Sequence, residues 1–184
     1  MKMASEAKLI DTMTRMKPYW YDNPILIGLD ASITSTGICF AQADGTILAY
    51  YSRQITRMGP ILDKLREYDG YFVMLSEYTP HMVRGMAKAH QAAVAAIERD
   101  VKDILSGRVK CLRINPDVWH GAMLGIARNT KTEPNRLKER SVMTANAKLD
   151  KQGLVANDDE ADAINIMWYL HNQMEYYRRL RRAK

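Results

Sequence analysis

The chain has 184 residues, a formal net charge of +6 and a sequence pI near 9.3. Hydrophobic residues make up 47%, which excludes a disordered chain and gives one domain of ordinary size enough apolar surface for a core. No apolar run approaches the roughly 20 residues of a membrane span, and the charges scattered over residues 1–20 exclude a secretory signal. Two cysteines, Cys39 and Cys111, fall inside predicted strands and read as core residues of a reducing compartment. The basic residues are clustered: residues 108–151 hold ten Lys/Arg against four Asp/Glu, and Arg178 to Lys184 holds five basic residues and no acid. Either stretch alone reads as a solvated helix face. Beside a cluster of buried acids, the two together favour a polyanion partner.

Residues 1–23 read as an amphipathic N-terminal extension, with Leu9, Ile10, Met13 and Met16 at helical spacing. Residues 24–184 read as one domain with a basic tail. Its first strand, 24–30, is a continuous apolar run ending in Asp30, as expected of a strand buried on both faces. Residues 37–43 and 46–52 follow as strands two and three, joined at Asp44-Gly45 by a hairpin whose two turn positions both favour positive φ. A short helix is predicted from Pro60 to Tyr68, then a fourth strand, 71–76, running into Glu77. Pro80 to Leu105 is a long alanine-rich helix, stopped at Gly107. Its small face suits either its own sheet or a second copy of the chain. Val109 to Ile114 is strand five, and a short helix opens at Pro116. After a polar loop over 125–134, Asn135 to Leu149 is a basic helix, and a last helix runs from about Asp159 to Arg181. The fold class is α/β: a mixed sheet of five strands, with an antiparallel three-strand meander plus parallel strands, flanked by helices.

Four carboxylates stand out. Asp30 and Glu77 end apolar strands, where an unpaired charge costs several kcal/mol or more. Asp159 and Asp162 are neighbours on one helix face, i and i+3. Capping explains Asp158 or Asp159 at the helix start but not Asp162, which sits among Ala161, Ala163, Ile164 and Ile166. Adjacent parallel strands bring their ends to within about 5 Å, and a helix over those ends delivers the second pair. Converging anions require compensation, and oxygen-only ligands favour two Mg²⁺ or Mn²⁺ ions. Such a metal pair is the arrangement that hydrolyses phosphodiesters by in-line attack.

Asp30 in LIGLDASITSTG, Glu77 in FVMLSEY, and Asp159 and Asp162 in DEADAINI resemble the four acidic positions of RuvC-type Holliday junction resolvases, within the RNase H-like superfamily. The resemblance covers roughly Pro24 to His171. The segment around Pro116, Trp119, Leu124, Gly125 and Lys131 looks more like the short phage resolvases. It implies an RNase H-like nuclease domain that acts as a homodimer on branched DNA. Its reaction would be paired nicking of four-way junctions with two metal ions per active site and no other cofactor, leaving 5′-phosphate ends. It implies a location in the cytoplasm of a bacterium or phage-infected cell, or another reducing compartment with DNA, and no membrane. The family's basic residues before the last helix correspond here to Lys131, Lys138 and Arg140, with Arg128 and Arg136 behind them. Its base-stacking aromatic after the glutamate has a counterpart in Tyr78, at a shifted position.

Other readings share the fold. A nuclease for flaps or RNA–DNA hybrids would carry the same acids, and a non-enzymatic junction binder would not need them. Asp30 to Gly37 by itself also fits the phosphate-cradling stretch of sugar kinases and actin-like ATPases. Those need two such domains and Gly-rich adenosine loops, for which this chain has neither the length nor the sequence.

Overall fold

The computed structural model describes residues 23–32, 34–78, 84–126, 134–149, 155 and 157–183; for 84–87, 134 and 181 it describes the backbone alone. Of the predicted extension over residues 1–23, all but Asn23 lies outside the described residues, as does the beginning of the alanine-rich helix.

Five strands form one sheet in the order β3-β2-β1-β4-β5. They are β1 (Ile25–Asp30), β2 (Thr36–Ala41), β3 (Ile47–Arg53), β4 (Phe72–Glu77) and β5 (Val109–Ile114). β1–β2 and β2–β3 are antiparallel, and β1–β4 and β4–β5 are parallel. The meander and the two crossovers are therefore as the sequence predicts. β1 is the central strand, which explains why it carries no polar alternation before Asp30.

The hairpin differs from expectation. Only Gly45 has positive φ, at +92°; Asp44 does not. The Gly45 N–H donates to the Gln42 carbonyl (3.0 Å), the Gln42 N–H donates to the Thr46 carbonyl (2.9 Å), and the β2–β3 register shifts at Phe40/Ala41. This is a three-residue loop closed by a glycine bulge, not a two-residue turn with both positions left-handed. The Asp44 carboxylate takes the Thr46 N–H at 2.9 Å and so stabilises the longer loop.

The helices are α1 (Gly59–Asp63), α2 (Arg84–Ile104), α3 (Pro116–Met123), α4 (Pro134–Lys148) and α5 (Asp158–Arg182). The predicted helix at Pro60 to Tyr68 is split, with α1 giving way to a 3₁₀ turn at Lys64–Glu67. The sheet's two faces bury two separate cores. Ile27, Leu29, Phe72 and Met74 pack with α1 and with Val94, Ile97 and Val101 of α2. Leu26, Cys39, Val73 and Leu75 pack with α5, with Trp119 of α3 and with Ala145 of α4. Ala93 of α2 packs on the sheet while Ala92 and Ala95 are exposed, so the chain's own core covers only part of the alanine face. Both cysteines are free, and burial pushes the Cys39 thiol far up, which leaves it a neutral core group.

One ion pair links the sheet to α2, with its carboxylate buried and its guanidinium exposed. Arg113 of β5 donates Nε and Nη2 to the two oxygens of Glu98 at 2.9 and 2.8 Å, and Glu98 is buried. The Arg113 guanidinium also lies 5.4 Å from the Tyr78 ring centroid.

Candidate active site

Side chains alternate along a strand, so Leu26, Gly28 and Asp30 share one face of β1, and Val73, Leu75 and Glu77 share the same face of β4. The parallel register pairs Leu29 with Ser76, which leaves Asp30 and Glu77 as the next residues on neighbouring strands. Both acids thus project toward α5.

Two glycines let α5 approach. A Cβ at Gly28 would collide with the Ala163 carbonyl and would lie 2.6 Å from the Met167 nitrogen. A Cβ at Gly37 would collide with the Asp159 carbonyl. Gly37 pairs directly with Asp30 across β1–β2. The first turn of α5 therefore rests against the residue beside Asp30, and backbone contact rather than side-chain reach sets Asp159 there. The cap of α5 is Asn157, whose side chain accepts the Asp159 N–H at 2.8 Å. Neither Asp158 nor Asp159 is spent on capping.

The electrostatics reflect this convergence. Asp30 is held well above the usual carboxylate range, first by burial and then by Glu77, Asp162, Asp159 and Asp158, all of which raise it. Asp162 is pushed up to about 6 by burial, and by Asp158 and Asp159, against opposing help from Ser141 and Lys138. Asp159 is raised by burial and by Asp158, opposed by Ser35 and Lys138. Glu77, Asp159 and Asp162, the other acids singled out in the sequence, all act electrostatically on Asp30, and so does Asp158.

Glu77, Asp159, Asp162 and Asp158 each have a protein donor. The Trp119 indole N–H donates to Glu77 Oε2 at 2.8 Å. The Ser35 hydroxyl donates to Asp159 Oδ2, and the Ser141 hydroxyl donates to Asp162 Oδ1. Ser35 is in turn 3.1 Å from the Ser52 hydroxyl, which accepts from Asn157 at 3.1 Å. Lys138 pairs with Asp158 at 2.5 Å. Among the described residues, no three side chains stand close enough in these rotamers to hold one ion together. The donor set still fits a hard divalent cation. It is oxygen only, and Asp30 is surrounded chiefly by burial and like charge.

The predicted DNA-binding residues divide. Arg128 and Lys131 lie outside the described residues. Arg136 and Arg140 are exposed on α4, where Arg140 Nη1 lies 3.5 Å from the Leu124 carbonyl. Lys138 turns to Asp158 and joins the acid cluster itself. Tyr78 follows Glu77 and rests on Arg113. Sequence reasoning missed Ser35, Ser141 and Asp158 as parts of the site, and missed Trp119 as the partner of Glu77. Single polar residues of these kinds give no signal of burial beside an acid.

No protein-family model matches the sequence, and no curated protein does. Solved structures do. RuvC of Thermus thermophilus in complex with a Holliday junction substrate matches with a TM-score of 0.60 and 14% identity, covering 84% of this chain and 95% of that one. A further Thermus thermophilus RuvC structure matches with a TM-score of 0.59 and 14% identity, over 83% and 93% of the two chains. The yeast mitochondrial Holliday junction resolvase matches at 0.50 and 13% identity, over 87% and 86%. At this identity the likeness establishes the architecture, which is the RNase H-like fold of the RuvC resolvases.

Proposed function

We propose that the protein is a metal-dependent endodeoxyribonuclease that resolves four-way DNA junctions by paired, symmetric nicks, acting as a homodimer. The observation that supports this reading is the seating of α5 on Gly28 and Gly37, beside Asp30, together with the electrostatic influence of Glu77, Asp159 and Asp162 on Asp30. Two of the structural neighbours are named as Holliday junction resolvases or bound to such a junction.

These four carboxylates would hold Mg²⁺ or Mn²⁺, two ions in the reading favoured here. The bound metal would supply Lewis-acid stabilisation of the phosphate and an activated water. The chain's own part is positional. β1 and β4 fix two acids on rigid strand ends, and α5 fixes two more on one helical turn. Trp119, Ser35 and Ser141 hold one oxygen of Glu77, Asp159 and Asp162 respectively. The exposed basic face of α4, with Arg136 and Arg140, would meet phosphates, and the basic end of α5 would extend that surface. Among the described residues no helix is long and apolar enough to cross a membrane, and residues 24–184 would form the nuclease domain.

The test is cleavage of labelled four-way junction, flap and RNA–DNA hybrid substrates by the full chain, with and without Mg²⁺. Symmetric nicks on the junction, with 5′-phosphate ends and only with metal, are expected. Asp30→Asn should abolish them while junction binding survives. Cleavage of the hybrid or flap alone would replace the junction with another substrate. Unchanged cleavage by Asp30→Asn would overturn the site.

A further inference from the structure

Asn165 is fully buried on α5, one turn beyond Asp162. Its Nδ2 lies 3.0 Å from the Ser141 carbonyl and 2.9 Å from the Ser141 hydroxyl. A carbonyl oxygen can only accept, so the Asn165 atom facing it must be the NH₂ group. The same NH₂ faces the Ser141 hydroxyl, which therefore accepts there. A hydroxyl has one hydrogen, and the remaining partner of Ser141 is Asp162 Oδ1. The chain of donors has one direction, from Asn165 to Ser141 to Asp162. Ser141 is itself buried, so water does not compete for that hydrogen. The Asn165 Oδ1 has no partner among the described residues, a cost the fold accepts with the amide in this orientation.

We propose that Ser141, oriented by Asn165, is a positioning residue for Asp162. It fixes Oδ1 as the protein-facing oxygen and leaves Oδ2 as the one presented to a divalent cation. The inference rests on the metal-dependent reading above. It also couples the two helices that matter to that reading. Ser141 lies one turn after Lys138 on α4, and Lys138 pairs with Asp158. The register of the basic helix against α5 is thereby tied to the orientation of one acid.

The test is Mn²⁺ binding to the full chain by titration calorimetry, with thermal melts in EDTA as a check of folding. Ser141→Ala should weaken Mn²⁺ binding by about tenfold or more, and raise the Mn²⁺ concentration for half-maximal nicking in parallel, while Ser141→Thr stays within about threefold of the parent. Asn165→Leu should act in the same direction, because the Ser141 hydrogen is then free to turn away; it carries the test if Ser141→Ala does not fold. A purely structural role would lower the melting temperature and leave Mn²⁺ affinity unchanged. If the parent binds Mn²⁺ and the variants bind it within about twofold of the parent, an effect below that of known outer-shell partners, this inference alone is overturned. If the parent binds no Mn²⁺, the metal-dependent reading falls and this inference falls with it.

Discussion

Asp162→Asn should make the metal-free protein more stable while destroying its activity. Asp162 has a folded-state pKa of about 6 against an ordinary value of 3.8, because of burial and the charges of Asp158 and Asp159. Its contribution to stability is fully present below about 3.8 and is lost as pH rises through about 6. A shift from 3.8 to about 6 corresponds to ~3 kcal/mol of destabilisation at pH 7.5, at 1.36 kcal/mol per unit. Asparagine keeps the shape and an oxygen that still accepts from Ser141, but carries no charge. For a chain of this size the gain should raise the melting temperature by about 5–10 °C at pH 7.5. The assay is a set of thermal melts in EDTA between pH 4 and 7.5, taken as the difference between variant and parent so that histidine titration cancels. That difference should shrink as pH falls through 6 and nearly vanish by pH 4. A variant that melts at or below the parent at pH 7.5, or a difference independent of pH, would refute the reasoning that burial of the Asp162 charge outweighs the help of Ser141 and Lys138.

Saturating Mg²⁺ at pH 7.5 should raise the melting temperature of the parent and leave that of Asp30→Asn nearly unchanged, as followed by the same melts. Gly28→Ala should cost about 3 kcal/mol or more in chemical denaturation, since its Cβ meets α5 backbone that cannot turn aside, whereas Gly59→Ala, with open space around it, should be neutral or slightly stabilising. Arg113→Met should cost about 1–2 kcal/mol in the same assay, because it leaves the buried Glu98 carboxylate without its bidentate but solvent-exposed partner. Junction affinity, measured by fluorescence anisotropy, should fall steeply with salt, and Arg136→Ala with Arg140→Ala should reduce the slope by about 2 in a log–log plot.

The acids of this site were legible in the sequence because each breaks a local rule at its own position. Asp30 and Glu77 end apolar runs, and Asp162 interrupts an apolar helix face beyond the reach of capping. Charge is costly to bury, so a charge in an apolar context announces a partner. The meander and the parallel strands were legible for a similar reason: short loops force the meander, and the helical segments between apolar runs force parallel crossovers. The hairpin was misread because Asp-Gly fits two loop lengths, and the choice depended on a bulge at Phe40/Ala41 that no dipeptide encodes.

The donors of the site were not legible, and the reason is physical. A serine or a tryptophan is cheap in either place, so its sequence context does not report whether an acid lies beside it. Ser35 is 124 residues from Asp159, and Trp119 is 42 from Glu77; only the packed fold brings them together. What brings them together is a short list of small residues. Gly28, Gly37 and Ala163 set how closely α5 lies on the sheet, and that distance decides whether Asp159 and Asp162 share a site with Asp30. In the sequence Gly28 looks like a weakness in a strand. In the fold it is the position where a single added methyl group would lift the acid pair of α5 away from the acids of the sheet.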